Sequence, residues 1–133
     1  KMGRRGEGYA HSLVLDIQFD EQWNYVLQSD LVSLNTIAPG RNDEIGINQY
    51  LFYRINEQWK IGSRLEWWKS DAGFNHGGRS APRGGSASYY EATFGVNYGT
   101  SKTSMLRPEI RYDWFPETGY TQSIFAIDLV MTF

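Results

Sequence analysis

The sequence predicts an all-β fold: an antiparallel up-and-down transmembrane β-barrel, with about seven strands here, as part of a larger barrel that has an even number of strands. Three observations lead to this prediction. Apolar and polar residues alternate with period two along most of the chain, the connections alternate between short and long, and aromatic residues gather near the ends of the alternating segments. Nine Tyr, seven Phe, five Trp and fourteen Gly also favour strands and turns over helices.

The alternation divides the chain into seven segments of the length that a tilted membrane-crossing strand requires. These predicted strands lie at about residues 9–19, 23–31, 45–55, 59–67, 90–98, 106–114 and 125–133. The faces of the third strand are not decided, because large apolar residues stand at both odd and even positions from Tyr50 to Tyr53. Pro108 interrupts the sixth strand, where a local bulge or a missing ladder bond is expected.

The connections are the second sign of a membrane barrel. Residues 20–22, 56–57 and 99–102 form short turns, whereas longer connections cover about residues 35–44, 70–88 and 115–122, the first of them with Pro39-Gly40 as its turn signal. Short periplasmic turns and longer external loops are typical of transmembrane barrels. The triplet Glu21-Gln22-Trp23 recurs as Glu57-Gln58-Trp59, each time opening a strand just after a tight turn. This weak repeat supports a meander of hairpins.

Charged residues alternate with the apolar ones, and a water-filled barrel would place them in its lumen. The predicted pore-lining residues are Arg54, Lys60, Arg64, Glu66, Glu91, Arg107, Glu109, Arg111, Asp113 and Asp128. Together with Asp16 and Asp30, on the same predicted face, they give five positive and seven negative charges, so weak cation selectivity is expected. The run Arg107, Glu109, Arg111, Asp113 fits a transverse field in a pore and equally a salt-bridge ladder between strands. In a small soluble barrel with a filled interior, burial of these charges would cost too much desolvation free energy.

Aromatic residues near the strand ends predict contact with the membrane–water interface. This set comprises Trp23, Tyr25, Trp59, Trp67, Tyr98 and Trp114.

On the exterior of a soluble sandwich the same alternation would leave the charges solvated, so a soluble ligand-binding β-barrel is one alternative. A non-conducting barrel that serves as scaffold or sheath for a partner protein is another.

Several classes of site are disfavoured by composition. The net charge is −2 without a basic cluster, which argues against a nucleic-acid partner, and the chain has no Cys. His11 and His76 lack ligand spacing, so no metal and no cofactor is predicted. Ser12 falls on the opposite face from His11, which disfavours a catalytic pair, and no enzyme activity is expected. The Gly-rich stretch around Arg79 and Arg83 lacks the features of a phosphate loop and is interpreted as an external loop rather than a constriction.

Three segments carry a family resemblance: Ser-Arg-Leu-Glu-Trp-Trp (63–68), Tyr-Tyr-Glu-Ala-Thr-Phe-Gly-Val-Asn-Tyr (89–98) and Leu-Arg-Pro-Glu-Ile-Arg-Tyr-Asp-Trp (106–114). Together they resemble outer-membrane β-barrel porins of the OmpL-like type over roughly the second half of the chain. The resemblance implies a channel for passive diffusion in the bacterial outer membrane. It also implies contact with outer-membrane lipid and with the barrel-assembly machinery, and a homotrimer or a partner protein as further possibilities.

The end of the chain is similar to the C-terminal signal by which barrel proteins are recognised for insertion. The residues that would form this signal are Phe125, Ile127, Leu129, Met131 and Phe133. Because bacterial single-chain barrels have even strand numbers and an open sheet would leave two unpaired edges in lipid, residues 1–133 are expected to be the C-terminal part of one transmembrane barrel domain. Residues 1–8 would then belong to an external loop.

Overall fold

The computed structural model describes residues 8–35, 41–71, 75–76, 79–80 and 86–132. The strands in these ranges are β1 (Gly8–Gln18), β2 (Trp23–Asn35), β3 (Arg41–Arg54), β4 (Trp59–Ser70), β5 (Asn75–His76), β6 (Arg79–Ser80), β7 (Ala87–Ser101), β8 (Ser104–Phe115) and β9 (Tyr120–Met131). No helix long and apolar enough to cross a membrane occurs within them. Phe133, Pro39-Gly40 and Arg83, all named above, lie outside the described residues, as do most of the predicted N-terminal loop and the side chains of His76 and Arg79.

The seven long strands form one antiparallel sheet in the order β1-β2-β3-β4-β7-β8-β9. Every long strand pairs with its neighbour in sequence, so the predicted all-β, up-and-down topology is confirmed. The short strands β5 and β6 pair with each other inside the long connection between β4 and β7. Within the described ranges, β1 and β9 form the two edges of the sheet.

Two connections are shorter than the sequence predicts. The third strand begins at Arg41 instead of Ile45, and β9 begins at Tyr120 instead of Phe125. In the second case Tyr120 pairs with Phe115 directly across a four-residue turn, and the two rings lie 5.7 Å apart. Gly119 takes a φ of 65° there, which a residue without Cβ adopts readily. The predicted medium loop at residues 115–122 is therefore wrong, because polar residues in it continue the strand.

The repeated triplet marks two turns that are built in the same way. Before Glu21-Gln22-Trp23, Asp20 Oδ1 accepts hydrogen bonds from the backbone N–H groups of Gln22 (2.8 Å) and Trp23 (2.7 Å). Before Glu57-Gln58-Trp59, Asn56 Oδ1 accepts them from Gln58 and Trp59, both at 2.9 Å. A short side-chain acceptor that replaces a backbone carbonyl closes such a turn. The repeat is thus a turn motif that begins one residue earlier than the triplet.

The pairing register sorts the side chains onto two faces, because directly opposed residues of antiparallel strands point the same way. One row of opposed residues is Asp16, Val26, Tyr50, Arg64, Thr93, Arg111 and Ile124. The row beside it on the other face is Leu15, Leu27, Gln49, Leu65, Ala92, Tyr112 and Ser123. We call these the polar face and the apolar face. The register settles the third strand: Tyr50 and Phe52 belong to the polar face, Leu51 and Tyr53 to the apolar face.

Most of the buried residues among the described ranges lie on the polar face: Ser70, Ala87, Tyr89, Glu91, Asp113 and Phe115. The apolar face is open by comparison, and Leu65, Phe94, Ile110 and Phe125 each expose half of their surface or more. This distribution of buried and exposed side chains is the reverse of that in a water-soluble protein, in which the apolar face is covered.

Pro108 lies in β8 without a bulge. The pairing of β7 with β8 is interrupted after Gly95–Glu109 and resumes at Tyr98–Leu106 in the same register, so no residue has been inserted. Since proline has no N–H group, the ladder simply lacks its bond at this position. Of the two expectations for Pro108, the missing ladder bond is the one found. The register shift in this pair occurs at the turn, between Gly99 and Ser101.

Candidate functional site

All ten charged residues predicted to line a pore lie on the polar face, and so do Asp16 and Asp30. Eleven of these twelve residues occupy four adjacent cross-strand rows, which pass through Arg64, Glu66, Gly62 and Lys60. Asp30 lies in the next row beyond that of Glu66. Within these rows the charges divide into a tightly bonded cluster towards the β4–β7 connection and a set of more open charges towards the short turns.

The bonded cluster is centred on two buried carboxylates. Glu91 and Asp113 oppose each other across β7 and β8 and expose only 2% and 1% of their surface. Arg64 binds Glu91 through Nε at 2.8 Å and through Nη2. Arg111 Nε lies 2.7 Å from Asp113 Oδ1 and 2.9 Å from Glu91 Oε2. Two guanidinium groups thus neutralise two carboxylates, as burial of such charges requires.

Neutral groups complete the cluster. The Tyr89 hydroxyl accepts a hydrogen bond from Arg111 Nη2 at 2.7 Å and lies 3.0 Å from Glu91 Oε2 and 3.1 Å from Asp113 Oδ1. Thr93 Oγ1 donates to Glu91 Oε1 at 2.8 Å. The Tyr89 ring packs on Phe115, with centroids 4.8 Å apart. The salt-bridge ladder considered in the sequence is therefore present, and it joins β4, β7 and β8.

The open charges lie on the polar face nearer the short turns. Arg107 Nη2 contacts Asp128 Oδ2 at 3.1 Å, and both side chains are about half exposed, at 46% and 58%. Lys60 Nζ lies 4.4 Å from the centroid of the Phe52 ring, a cation–π contact. Glu109 is exposed, and its cross-strand neighbours Gly95 and Ala126 carry no charge. Arg107 and Arg111 flank it on its own strand, but each binds another carboxylate.

A groove of about 300 Å³ runs across this more open part of the polar face. Its floor carries no side chains of its own, because Gly62 and Gly95 oppose each other on adjacent strands. The Phe52 ring lies over the Gly62 end of this floor: a Cβ on Gly62 would lie 2.8 Å from Phe52 Cδ1. Arg107 and Glu109 border the groove on the β8 side. Substituting these glycines would fill the floor, which explains their use at this position.

The predicted interface aromatics all lie on the apolar face. Trp67 and Trp114 flank Tyr90 in one row, and the Tyr90 and Trp114 rings stack 5.2 Å apart. Trp59 packs on Tyr98 at 4.3 Å near the opposite strand ends. Trp59 and Trp67 are eight residues apart in β4, which gives about 26 Å along the strand and about 20 Å along a barrel axis at a tilt of roughly 40°.

The remaining two members lie at the β1–β2 turn. Trp23 opens β2 and packs on Tyr53, with centroids 4.6 Å apart. Tyr25 stands two residues further into the strand, and its hydroxyl donates to Gln49 Oε1 at 2.9 Å. That bond satisfies a polar side chain on an otherwise apolar surface. Tyr25 therefore lies further from the end of β2 than Trp23 does.

The described members of the predicted assembly signal share the apolar face of β9. Phe125, Ile127, Leu129 and Met131 expose between 55% and 70% of their surface. Sequence reasoning missed Tyr89, Phe52 and the two glycines of the groove floor. Tyr89 could have been found, because Ala87, Tyr89 and Glu91 continue the period-two pattern before the predicted start of that strand. The opposition of Gly62 and Gly95 depends on the register and carries no local signal.

One comparison with known proteins gives a match. The model of the family described as "Putative beta-barrel porin-2, OmpL-like" matches residues 2–133, nearly the whole chain. No curated protein and no solved structure matches this chain.

Proposed function

Because the chain belongs to the OmpL-like family of β-barrel porins, we propose that it forms a channel in the bacterial outer membrane through which small polar solutes or ions diffuse passively. The polar face lines the water-filled lumen, and the apolar face contacts lipid. The residues Arg54, Lys60, Arg107, Glu109 and Asp128 meet the solute, whereas the Glu91–Asp113 cluster holds the wall.

One observation carries this proposal: the inverted polarity of the sheet. Large apolar side chains are exposed on one face, among them Phe125 at 70% and Leu65 at 55%, while carboxylates are buried on the other. Lipid covers exposed apolar side chains as well as a protein core does, and water in a lumen solvates the open charges. The two aromatic girdles at the strand ends fit the two membrane–water interfaces.

The open groove favours a conducting channel over a non-conducting barrel that serves as a sheath for a partner protein. A lumen filled by a partner protein needs wall side chains that interdigitate with it, whereas Gly62 and Gly95 leave backbone exposed beside charged residues. Open space with charged walls is what hydrated solutes require. We also propose that the barrel-assembly machinery recognises the apolar side chains of β9, namely Phe125, Ile127, Leu129 and Met131.

The test is reconstitution of the full-length protein in planar lipid bilayers, with its heat-dependent gel mobility measured in parallel. A heat-shifted band together with stepwise conductance in KCl supports the proposal. A heat-shifted barrel that never conducts would overturn the channel and favour the scaffold or sheath. A protein that stays soluble without detergent would overturn the membrane barrel itself and favour the soluble ligand-binding barrel.

A further inference from the structure

The groove above Gly62 and Gly95 contains a carboxylate and a guanidinium group that do not bind each other. Glu109 has no ion-pair partner among the described residues, because its cross-strand neighbours Gly95 and Ala126 carry no charge. Arg107 stands two residues away on the same strand and meets Asp128 through Nη2 alone. A guanidinium group has five N–H donors, so most of those of Arg107 have no protein acceptor among the described side chains.

The opposite side of the groove is formed by two aromatic rings, and Lys60 Nζ lies 4.4 Å from the centroid of one of them, Phe52. Phe52 and Tyr50 lie on β3, with ring centroids 6.2 Å apart and planes inclined by 15°. The floor of Gly62 and Gly95 separates them from β8. Three strand spacings from β3 to β8 amount to about 14 Å between backbones, and the groove of about 300 Å³ leaves room for one apolar side chain.

We propose that this groove binds an amino acid with an apolar side chain. The ammonium group of the amino acid binds Glu109, its carboxylate binds Arg107, and its side chain lies over the glycine floor against Phe52. This proposal rests on the proposed function, since the solute reaches the groove through the lumen.

A dipolar solute suits the groove better than a simple ion. Arg64, the other guanidinium group that lines the groove, is bound to Glu91, so Arg107 and Glu109 are the lining charges more open to a solute. An anion would gain contact with Arg107 but would approach the Glu109 carboxylate, and a cation would meet the reverse arrangement. Only a solute that carries both charges a few ångströms apart satisfies both groups. The aromatic wall then adds selectivity for an apolar side chain over a hydrogen atom.

The binding experiment uses the full-length protein in detergent, so it does not depend on conduction. L-phenylalanine is compared with 3-phenylpropanoate, phenethylamine and glycine, which lack in turn the ammonium, the carboxylate and the side chain. We expect phenylalanine to bind roughly tenfold more tightly than each of the three, since each loses one charge-assisted contact or the ring. Equal affinities for phenylalanine and 3-phenylpropanoate would overturn the assignment of Glu109.

Two variants with a matched control locate the site. In Gly62→Ala the new methyl group must displace the Phe52 ring, so phenylalanine affinity falls by about tenfold. In the control Gly46→Ala, the methyl group lies on the same face but outside the groove, 3.7 Å from Trp68 Cδ1, and affinity stays unchanged. Glu109→Gln keeps the shape and removes the charge, and it should abolish the advantage of phenylalanine over 3-phenylpropanoate. Equal affinity in Gly62→Ala and Gly46→Ala would overturn the site.

Conductance separates this inference from the function on which it rests. Phenylalanine should lower the KCl conductance of the wild-type channel and leave that of Gly62→Ala less affected. Normal conductance without any phenylalanine binding would overturn the groove site alone. Absence of conductance would overturn the channel, whatever the binding experiment gives.

Discussion

Trp67 and Trp68 are consecutive residues of β4 that lie on opposite faces of the sheet. Trp67 opposes Ile47 and Tyr90 on the apolar face, and its Nε1 donates to Ser88 Oγ at 3.4 Å. Trp68 opposes Gly46 on the polar face and covers it, since its Cδ1 lies 3.7 Å from the place that a Cβ of Gly46 would take. The strand thus assigns two identical side chains to two different surroundings.

This relationship gives a direct test of which face meets lipid. Two single-tryptophan variants are made, one that retains only Trp67 and one that retains only Trp68, with all remaining tryptophans replaced by Phe. In vesicles of brominated lipid the fluorescence of Trp67 should be strongly quenched, because an outward ring touches acyl chains or headgroups. The fluorescence of Trp68 should change little. Equal quenching of the two would contradict the assignment of faces.

The buried cluster should contribute far more to stability than the open ion pair. Asp113→Asn removes one of the two buried carboxylates of the cluster. Arg64 and Arg111 must then share Glu91, which leaves an uncompensated positive charge, and the free energy of unfolding should fall by about 3–5 kcal/mol. The matched control, Asp128→Asn, removes one partner of the exposed pair with Arg107 and should cost less than about 1 kcal/mol. Urea unfolding in detergent micelles or vesicles measures both. Equal losses would show that the cluster is not the structural element proposed here.

Ion selectivity should respond to the open charges. Lys60 has no acidic partner among the described residues, so in Lys60→Gln the permeability ratio of cations over anions should rise, on the order of twofold. The reversal potential across a KCl gradient measures the ratio. Lys102→Gln, which removes the same charge in the β7–β8 turn, is the control and should have a smaller effect. A strongly anion-selective wild-type channel would contradict the excess of negative charge on the polar face.

The repeated turn motif should depend on its first residue and not on the triplet that reveals it. Asp20→Ala removes the acceptor of two backbone hydrogen bonds, and the free energy of unfolding should fall by about 1–2 kcal/mol. Glu21→Ala changes an exposed neighbour in the same turn and should leave stability within about 0.5 kcal/mol. If both variants lose the same stability, the hydrogen bonds at Asp20 do not hold the turn.

The sequence by itself determined the class of fold, the number of long strands and the face on which each named charge lies. It could do so because alternation is a local property: once a strand is recognised, position parity fixes the face. The same reasoning failed where alternation is weak or starts early. It left the faces of Tyr50 to Tyr53 undecided, missed Tyr89, and took Tyr120 to Gln122 for a loop, although the pairing of Tyr120 with Phe115 continues the sheet.

Only the tertiary structure decided which residues meet. That Glu91 and Asp113 share two arginines, while Glu109 stands between Gly95 and Ala126, depends on the offset between strands. A shift of two residues would keep every side chain on its face and yet exchange all of these neighbours. Hydrogen bonding across the whole sheet sets that offset, so the division of the polar face into a neutral, buried cluster and an open, charged groove could not be seen in the sequence.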